Sequence, residues 1–366
     1  MLFIRGLTFR HPSRTERRAA TDPEVPLIIK NRAAWAAVLT AAVTSAALAT
    51  AAAPAQAATD IKVGVIPINS MGAIQYAKDA GIFAKNGLNV TEFVQFPAPP
   101  PSIAALASGA VQFVYSPTIP VINAYENGGV ALKIVAPADG YRATDLAKAK
   151  KSAAFAAKID DTGVCVNPTS GITRWKDLAG KTVSVPARGA QGEVTIASAV
   201  KKDGGDPSTI NWVTLGFPEV VPSVQSGKIN AGFTVEPFSS ACTSAGMKNI
   251  GSPGIQFFDT ENAIGVWVTT ATFAQQNPKA VAAFQKSLFQ ANSYAMASPA
   301  NGKKVTTAST KITGVPVSQA LAANPTYYPL YVTRKDVTRP ATKMFELGFL
   351  KEPADVAGLL LRQYRP

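Results

Sequence analysis

The chain has 366 residues, of which 47% are hydrophobic and 16% are charged, so it can bury a sizeable core and is not a disordered chain. That length suffices for two domains of ordinary size. The formal net charge is +13, and residues 58–366 carry +9 of it, from 29 basic and 20 acidic residues.

The scarcity of histidine and cysteine excludes several kinds of catalytic site and metal site. The one histidine, His11, lies in a leader that we expect to be removed. The remaining chain then has no histidine for a Ser-His-Asp or Cys-His mechanism, or for a metal site. Two cysteines cannot build a four-thiolate zinc site. We therefore expect no metal, no cofactor and no catalytic residue.

The first 57 residues have the pattern of a secretory signal. Seven basic residues precede an uncharged, alanine-rich run at 33–53, and Ala55-x-Ala57 then forms a small-x-small cleavage pattern. The alternative is a permanent anchor helix, because 21 residues can span a bilayer. Pro54 and the weak hydrophobicity of alanine favour a signal. We expect cleavage after Ala57 and export to the periplasm or the cell-surface space.

Export changes the interpretation of Cys165 and Cys242. In an oxidising compartment two lone cysteines usually form a disulfide, and two buried free thiols are the alternative.

Short apolar runs alternate with helical patterns after the leader, which favours a mostly parallel sheet covered by helices. The predicted strands are residues 61–66, 90–96, 111–115 and 132–136, and the predicted helices are residues 71–86, 102–108 and 118–127. The pattern then recurs. Residues 181–186 resemble residues 62–67, and residues 226–231 resemble residues 108–113, at offsets of 119 and 118. We interpret this as two α/β lobes of like topology.

The chain is predicted to cross between the two lobes twice. We assign residues 58–140 and 255–366 to the first lobe, residues 161–254 to the second, and residues 141–160 to an exposed crossing. The lysines of that crossing, at 148, 150, 151 and 158, favour a solvated face over a nucleic-acid patch. Residues 262–270 lead back to the first lobe. The predicted later helices are residues 278–296, 317–323, 336–347 and 354–363.

Four loops follow strands of the two halves and lead into predicted helix starts. In open α/β sheets the binding crevice lies beyond the carboxyl ends of the strands, and helix starts suit anions. Two loops from each lobe are therefore expected to converge on one small anionic group. The predicted ligand-binding residues are Asn69, Ser70, Met71, Gly72, Ser116, Thr118, Arg188, Gly189, Ala190, Gln191, Gly192, Phe217 and Glu236.

Alternatives stay open for several of these residues. Ser70, Ser116 and Thr118 are either ligand donors or ordinary helix N-caps. Arg188 either binds a sulfonate or carboxylate, or is a surface charge. Glu236 either complements a helix dipole or latches across the cleft. Phe217 is a candidate apolar wall, and Tyr141 and Trp267 are further candidates, although buried aromatic residues usually belong to a core.

With these residues in view, the chain resembles the nitrate/sulfonate/taurine-binding family of periplasmic solute-binding proteins, which includes the thiamine-pyrimidine-synthase-like fold. The resemblance covers residues 61 to about 296. It rests on the order and spacing of residues 76–83, 87–90, 105–109, 175–183, 226–231 and 236–238. The long basic leader and the lysine-rich crossing depart from the family pattern.

The resemblance implies a type II periplasmic binding fold, with two Rossmann-like lobes on a hinge. It also implies capture of a small solute and delivery to an ABC permease. We expect a monomer that does not bind nucleic acid, and an anionic solute of the sulfonate, taurine or nitrate kind. The alternatives are a thiamine-pyrimidine-type enzyme, which in the family consumes a histidine and uses a cysteine-rich motif, and a solute sensor for a membrane receptor.

Overall fold

The computed structural model describes residues 58–366, so the predicted signal and its cleavage site lie outside the described residues. The described part is an α/β fold with two sheets. Its strands are β1 (Thr59–Val65), β2 (Leu88–Gln95), β3 (Phe113–Pro117), β4 (Leu132–Gly140), β5 (Thr162–Val166), β6 (Thr182–Val185), β7 (Asn211–Thr214), β8 (Ala231–Val235), β9 (Lys248–Asn249) and β10 (Ala263–Thr270).

The two sheets have the same topology. The first has the strand order β2-β1-β3-β10-β4, and the second has the order β7-β6-β8-β5-β9. In each sheet one strand pairs in parallel with two neighbours. Strand β1 pairs with β2 and β3, and β6 pairs with β7 and β8. The predicted α/β fold class and the internal repeat are therefore confirmed. We call each sheet with its packed helices a lobe; the residue bounds predicted for the lobes stay a prediction.

One strand in each sheet runs antiparallel to its neighbours, and it is the strand that the chain enters on crossing from the other lobe. Strand β5 pairs antiparallel with β8, so that Thr162 lies opposite Val235 at the carboxyl end of β8. Strand β10 pairs antiparallel with β3 and β4, and Ala263 lies opposite Gly140 at the carboxyl end of β4. Both crossings therefore run past the carboxyl ends of the parallel strands.

Helices cover both sheets. They are α1 (Gly72–Asp79), α2 (Ile82–Lys85), α3 (Pro99–Ala107), α4 (Thr118–Glu126), α5 (Ala143–Ala149), α6 (Ala153–Ile159), α7 (Gln191–Lys202), α8 (Phe217–Gln225), α9 (Phe238–Ser244), α10 (Pro253–Phe257), α11 (Ala271–Gln276), α12 (Pro278–Ala297), α13 (Pro299–Thr313), α14 (Val317–Ala322) and α15 (Lys335–Glu346). No helix in this range is long and apolar enough to cross a membrane.

The repeat extends to helix ends. Helices α3 and α8 both end on a serine cap, Ser108 and Ser226, and each is followed by a glycine with positive φ. Gly109 has φ 79° and Gly227 has φ 72°, a conformation in which a side chain would strain the backbone. The matching Ser-Gly pairs in the sequence therefore mark the same turn in both lobes.

The single helix predicted at residues 71–86 is two helices. Gly81 has φ 66°, which interrupts the α-helical hydrogen bonding between α1 and α2. Helix α13 was not predicted; it begins after the N-cap Ser298 and ends before Gly314, which has φ 71°.

The helix predicted at residues 354–363 is wrong except for one 3₁₀ turn, Val356–Leu359. After it the chain is extended and lies along the edge strand β4, where Leu360 bridges Ile134 and the Leu361 amide donates to the Ile134 carbonyl. Gly358 packs so closely that a methyl group there would lie 2.6 Å from Tyr125 Oη. This close approach, and the pairing with β4, replace the predicted helix.

The core of the first lobe is rich in aromatic side chains. Phe113 on β3 stacks on Phe284 of α12, with ring centroids 3.9 Å apart. Trp267 of β10 meets Phe284 edge-on and is 2% exposed, so this candidate for ligand contact is a core residue.

In the second lobe a disulfide joins Cys165 of β5 to Cys242 of α9, as predicted. Both residues are fully buried, and the bond encloses a sequence separation of 77 residues. It ties the strand of the first crossing to the helix that follows β8.

Reduction of this disulfide should lower the free energy of unfolding by about 4 kcal/mol, because it frees the closed loop in the unfolded chain. Urea denaturation with and without reductant measures the difference. A C165A/C242A double variant is the matched control, since its stability should not respond to reductant. Two free thiols in denatured, unreduced protein would contradict the bond.

Candidate functional site

A small cavity of about 40 Å³ lies between the two lobes, at the carboxyl ends of strands from both sheets. The first lobe contributes Ile66, Ile68, Pro99, Tyr115, Pro117 and Asp139, and the crossing and second lobe contribute Asp161, Thr162, Pro186, Ala190, Gln191, Gly192, Phe217, Phe233 and Val235. Because the crossings pass the same edge, the turns of both sheets meet here. This is the position that the open-sheet rule predicts for a ligand site.

The first lobe presents a buried carboxylate to the cavity. Asp139, near the end of β4, is 2% exposed. Its Oδ2 accepts from Tyr115 Oη at 2.9 Å, and its Oδ1 accepts from the Gly265 amide at 3.0 Å. These two hydrogen bonds fix the position of the Asp139 carboxyl group, at the point where the first crossing leaves β4.

Gly265 makes room for this carboxylate. A methyl group at position 265 would lie 2.7 Å from both Asp139 Cγ and Tyr115 Cε2. The pairing of β10 with β4 is irregular on both sides of Gly265. The irregular register and the missing side chain together let the Asp139 carboxyl lie across the strand.

A second carboxyl group, that of Asp161, faces the cavity from the other end of the first crossing, just before β5. Tyr141 Oη donates to Asp161 Oδ1, and this buried tyrosine is therefore a support for the cavity and not one of its lining residues. Asp139 and Asp161 flank the same crossing, which brings them together although 22 positions separate them in the sequence.

Burial controls the protonation of these groups. Desolvation raises the pKa of Asp139, while hydrogen bonds from Ser70, Tyr115 and Gly265 limit the increase. Desolvation and the nearby Asp139 raise the pKa of Asp161 well above its usual range. The pKa of Asp160 rises to about 7, again mainly through burial.

The second lobe presents the start of helix α7 to the cavity. Ala190, Gln191 and Gly192 line it, as predicted for this loop, and their backbone lies at the first turn of a twelve-residue helix. Such a turn has free N–H groups and favours negative charge. The Gln191 side chain is 9% exposed, and its Oε1 has no hydrogen-bond partner.

Arg188 lies outside this cavity. Its guanidinium donates to Glu193 through Nε at 2.9 Å and Nη2 at 2.8 Å, and its side chain is 57% exposed. Glu193 also accepts from the Gly189 amide at 2.6 Å. Glu193 of the same lobe thus holds the Arg188 side chain, and the ligand-binding role considered for Arg188 stays a prediction.

An apolar wall closes the second-lobe side. Phe217, the predicted wall residue, lines the cavity with Phe233, and its ring stacks near Phe238 with centroids 6.0 Å apart.

The predicted residues 69–72 turn into the first lobe and not towards the cavity. Asn69 Nδ2 donates to the Ala320 carbonyl at 3.2 Å, and Met71 is fully buried in the core. Gly72 packs against α13, where a methyl group would lie 3.0 Å from the Val305 carbonyl carbon. Ser70 acts indirectly, through its hydrogen bond to Asp139.

The N-cap alternative for the hydroxyl residues is wrong, and their role as ligand donors stays a prediction. None of Ser70, Ser116 and Thr118 caps a helix with its side chain. Ser116 Oγ donates to the Pro117 carbonyl at 2.9 Å, and the buried Thr118 Oγ1 has no partner. These two residues flank the cavity-lining Pro117 without lining the cavity themselves.

Gly189 and Glu236 connect the lobes. The Gly189 carbonyl accepts from Asn123 Nδ2 of α4 at 3.2 Å. The Glu236 carbonyl accepts from the Asn69 amide at 3.0 Å, and its Oε1 accepts from the Asn324 amide at 3.4 Å. The Glu236 carboxyl group also accepts from the Ser240 amide in the first turn of α9 at 3.1 Å, so both roles considered for Glu236 stay predictions.

Sequence reasoning missed Tyr115, Asp139 and Asp161. It ended the fourth strand at residue 136, assigned no element to residues 137–140, and placed Asp161 at the start of the second lobe without a role. The available signal was Asp139 itself, an acidic residue that directly continues an apolar strand and precedes a glycine.

A larger groove of about 550 Å³ lies beside α5, α6, α9 and α10. Its acidic groups already have partners in the protein: Asp160 accepts from the Thr162 amide at 2.9 Å and Glu236 from Ser240 Oγ at 2.9 Å. Within residues 58–366, no group of three histidine, cysteine or acidic residues is placed to hold a metal ion.

Comparison with known proteins agrees with this architecture. The family model described as NMT1/THI5 like matches residues 151–302. The taurine-binding periplasmic protein of Escherichia coli is 26% identical over 259 residues, which are 69% of this chain and 72% of that protein. The predicted resemblance to periplasmic solute-binding proteins is confirmed.

Solved structures of such solute-binding proteins share the fold. The periplasmic aliphatic sulphonate binding protein of Escherichia coli superposes with a TM-score of 0.62 at 17% identity, over 81% of this chain and 96% of that one. The periplasmic nitrate-binding protein of Synechocystis PCC 6803 gives a TM-score of 0.67 at 14% identity, over 83% and 86% of the two chains.

Substitution of Gly265 by alanine should destabilise the protein by about 1–3 kcal/mol, because the new methyl group overlaps Asp139 and Tyr115. The matched control is Gly302→Ala in α13, where the methyl group would meet nothing nearer than 3.5 Å. This control should be neutral or slightly stabilising, since alanine favours a helix. Chemical denaturation measures both; equal stabilities would contradict the role of Gly265.

Proposed function

We propose that this chain is the extracytoplasmic solute-binding component of an ABC importer. It captures a small solute between its lobes and delivers it to the permease. The observation that carries the proposal is the cavity that the carboxyl-end turns of both sheets line. The taurine-binding relative and the sulphonate- and nitrate-binding fold neighbours support a solute with an anionic group.

The two crossings supply the hinge. Both pass the cavity edge, so bending there opens and closes the cleft without disturbing either sheet. A solute that touches both lobes stabilises the closed form, in which the Gly189–Asn123 and Glu236–Asn324 contacts also form. The permease then recognises that closed form.

In this proposal the anionic group of the solute binds at the first turn of α7, near Gln191 and Gly192, and Phe217 forms the apolar wall. Micromolar affinity corresponds to about 8 kcal/mol. A few charge-assisted hydrogen bonds, at about 1.5–3 kcal/mol each, and the apolar wall account for that magnitude. The predicted hydroxyl-bearing and turn residues that lie behind the cavity hold the start of α7 and the apolar wall in position.

We also propose that the protein does not transform its solute and that it works as a monomer. Its export follows cleavage after Ala57. The alternative of an enzyme predicts turnover, and the alternative of a sensor predicts binding without import. Recovery of the solute unchanged after incubation separates the first alternative from the proposal.

A thermal-shift screen tests the function. The panel contains alkanesulfonates, taurine, nitrate, aromatic carboxylates and pyrimidines. A true solute at 100 times its dissociation constant should raise the free energy of unfolding by about 2.7 kcal/mol. Phe217→Ala should weaken binding about tenfold or more through loss of the wall.

The matched control is Phe345→Ala, since Phe345 is 40% exposed on α15 and does not line the cavity. It should leave the affinity unchanged. If no compound stabilises the protein, or if both variants weaken binding equally, the proposed site is wrong.

A further inference from the structure

The loop at the start of helix α7 lies between two spaces that both lobes line. Residues 190–192 of this loop line the small cavity. Arg188 and Glu193 line a second, outer groove of about 690 Å³. The first lobe lines the same groove through Leu347 and Phe349. The loop therefore separates the inner cavity from the outer groove.

At this boundary a direct hydrogen bond joins the two lobes. Asn123 Nδ2, on α4 of the first lobe, donates to the Gly189 carbonyl of the second lobe at 3.2 Å. Gly189 has φ 65°, and a methyl group at this position would lie 2.7 Å from Asn123 Nδ2. Position 189 therefore needs glycine both for its backbone conformation and for the close approach of the Asn123 amide.

The first lobe holds the donor of this hydrogen bond in a fixed orientation. Asn127, which caps the end of α4, donates from Nδ2 to Asn123 Oδ1 at 2.7 Å. The same Nδ2 donates to the Phe349 carbonyl at 2.8 Å. Because its Oδ1 accepts from Asn127, the Asn123 amide presents its Nδ2 donor to the Gly189 carbonyl.

The second lobe holds the acceptor in place. The Glu193 carboxylate accepts from the Gly189 amide at 2.6 Å, which fixes the peptide that precedes the carbonyl. Ala187 and Ala190 lie on either side in the sequence and form a small buried cluster with Ala98 of the first lobe. Since no side chain in this cluster is larger than a methyl group, the two lobes approach each other closely beside the hydrogen bond.

We propose, on the basis of the function proposed above, that the Asn123–Gly189 hydrogen bond is a clasp that closes the cleft between the cavity and the outer groove. Asn127 and Glu193 are its positioning residues. The clasp sets how often the lobes part, and therefore how often a solute can enter the cavity. It acts without a solute, because both of its partners belong to the protein.

A backbone amide at a different interlobe contact monitors the parting of the lobes. The Asn69 amide of the first lobe donates to the Glu236 carbonyl of the second at 3.0 Å, and Asn69 is 1% exposed. Such an amide exchanges its hydrogen with solvent when the contact opens, so its exchange rate follows the opening equilibrium. The Phe96 amide donates to the Val65 carbonyl at 2.9 Å within the first lobe and is the internal reference.

The test is amide hydrogen exchange, followed by NMR on the exported protein without added solute. In Asn123→Ala the exchange rate of the Asn69 amide should increase about three- to tenfold, the change expected from the loss of one hydrogen bond. The exchange rate of the Phe96 amide should stay unchanged. A merely structural role of Asn123 would instead raise both rates, through a general loss of stability.

Two further variants separate the clasp from its positioning residue. Asn123→Asp keeps the size of the side chain and the acceptor for Asn127, but places a carboxylate oxygen against the Gly189 carbonyl. It should accelerate exchange of the Asn69 amide at least as much as alanine does. Asn127→Ala leaves the clasp residues in place and frees the Asn123 amide to rotate, so it should give a smaller increase.

The matched control is Asn89→Ala. The Asn89 side chain is exposed and donates to Asp60 Oδ1 at 2.8 Å within the first lobe. This variant removes one asparagine hydrogen bond of similar kind without touching the second lobe, and it should leave the Asn69 exchange rate unchanged. Circular dichroism checks the folding of all four variants.

Three results would overturn the inference. The first is an Asn69 amide that exchanges equally fast with and without the Asn123 side chain. The second is an Asn69 amide that is already unprotected in the unsubstituted protein, because the clasp then does not hold the lobes together. The third is an equal increase at Phe96. The proposed function fails separately, in the thermal-shift screen, because the exchange test uses no solute.

Discussion

The structure depends on one constraint, which is that both passages of the chain between its sheets run past the carboxyl ends of the parallel strands. Because β5 and β10 each begin at that edge, they run antiparallel to their neighbours, and the turns of the two sheets face each other. The cavity and the interlobe contacts of Gly189 and Glu236 follow from this arrangement. A sheet pair joined at the opposite edge would have no shared cleft.

The same edge explains the unusual electrostatics of the cavity. Asp139 lies near the end of β4 and Asp161 directly precedes β5, so the first crossing brings two carboxyl groups to the same cavity. Burial of an ionised acidic group costs free energy unless hydrogen-bond donors or protonation compensate for it. Here tyrosine hydroxyls and the Gly265 amide supply part of that compensation.

Much of the fold could be predicted because the sequence repeats local signals that have direct physical causes. The Ser-Gly pairs at 108 and 226 mark the same helix ends, and the apolar runs give the strands. The candidate site was harder to predict than the fold. The Gln191 turn follows from its place after a strand, whereas Asp139 required knowledge that β4 extends to Gly140 against β10, a long-range pairing. The contact of Arg188 with Glu193 on the following helical turn was also not predicted, because it depends on how that turn places the Glu193 carboxyl group.

The extended residues after Val356–Leu359 have a consequence for solubility. They lie along β4, which is the edge strand of the first sheet, and Lys133 Nζ donates to the Gly358 carbonyl while Gln285 Nε2 donates to the Arg362 carbonyl. An uncovered edge strand offers unpaired backbone groups to other chains. The tail therefore protects β4 against intermolecular strand addition, and a chain shortened before residue 356 would expose an edge strand that promotes aggregation.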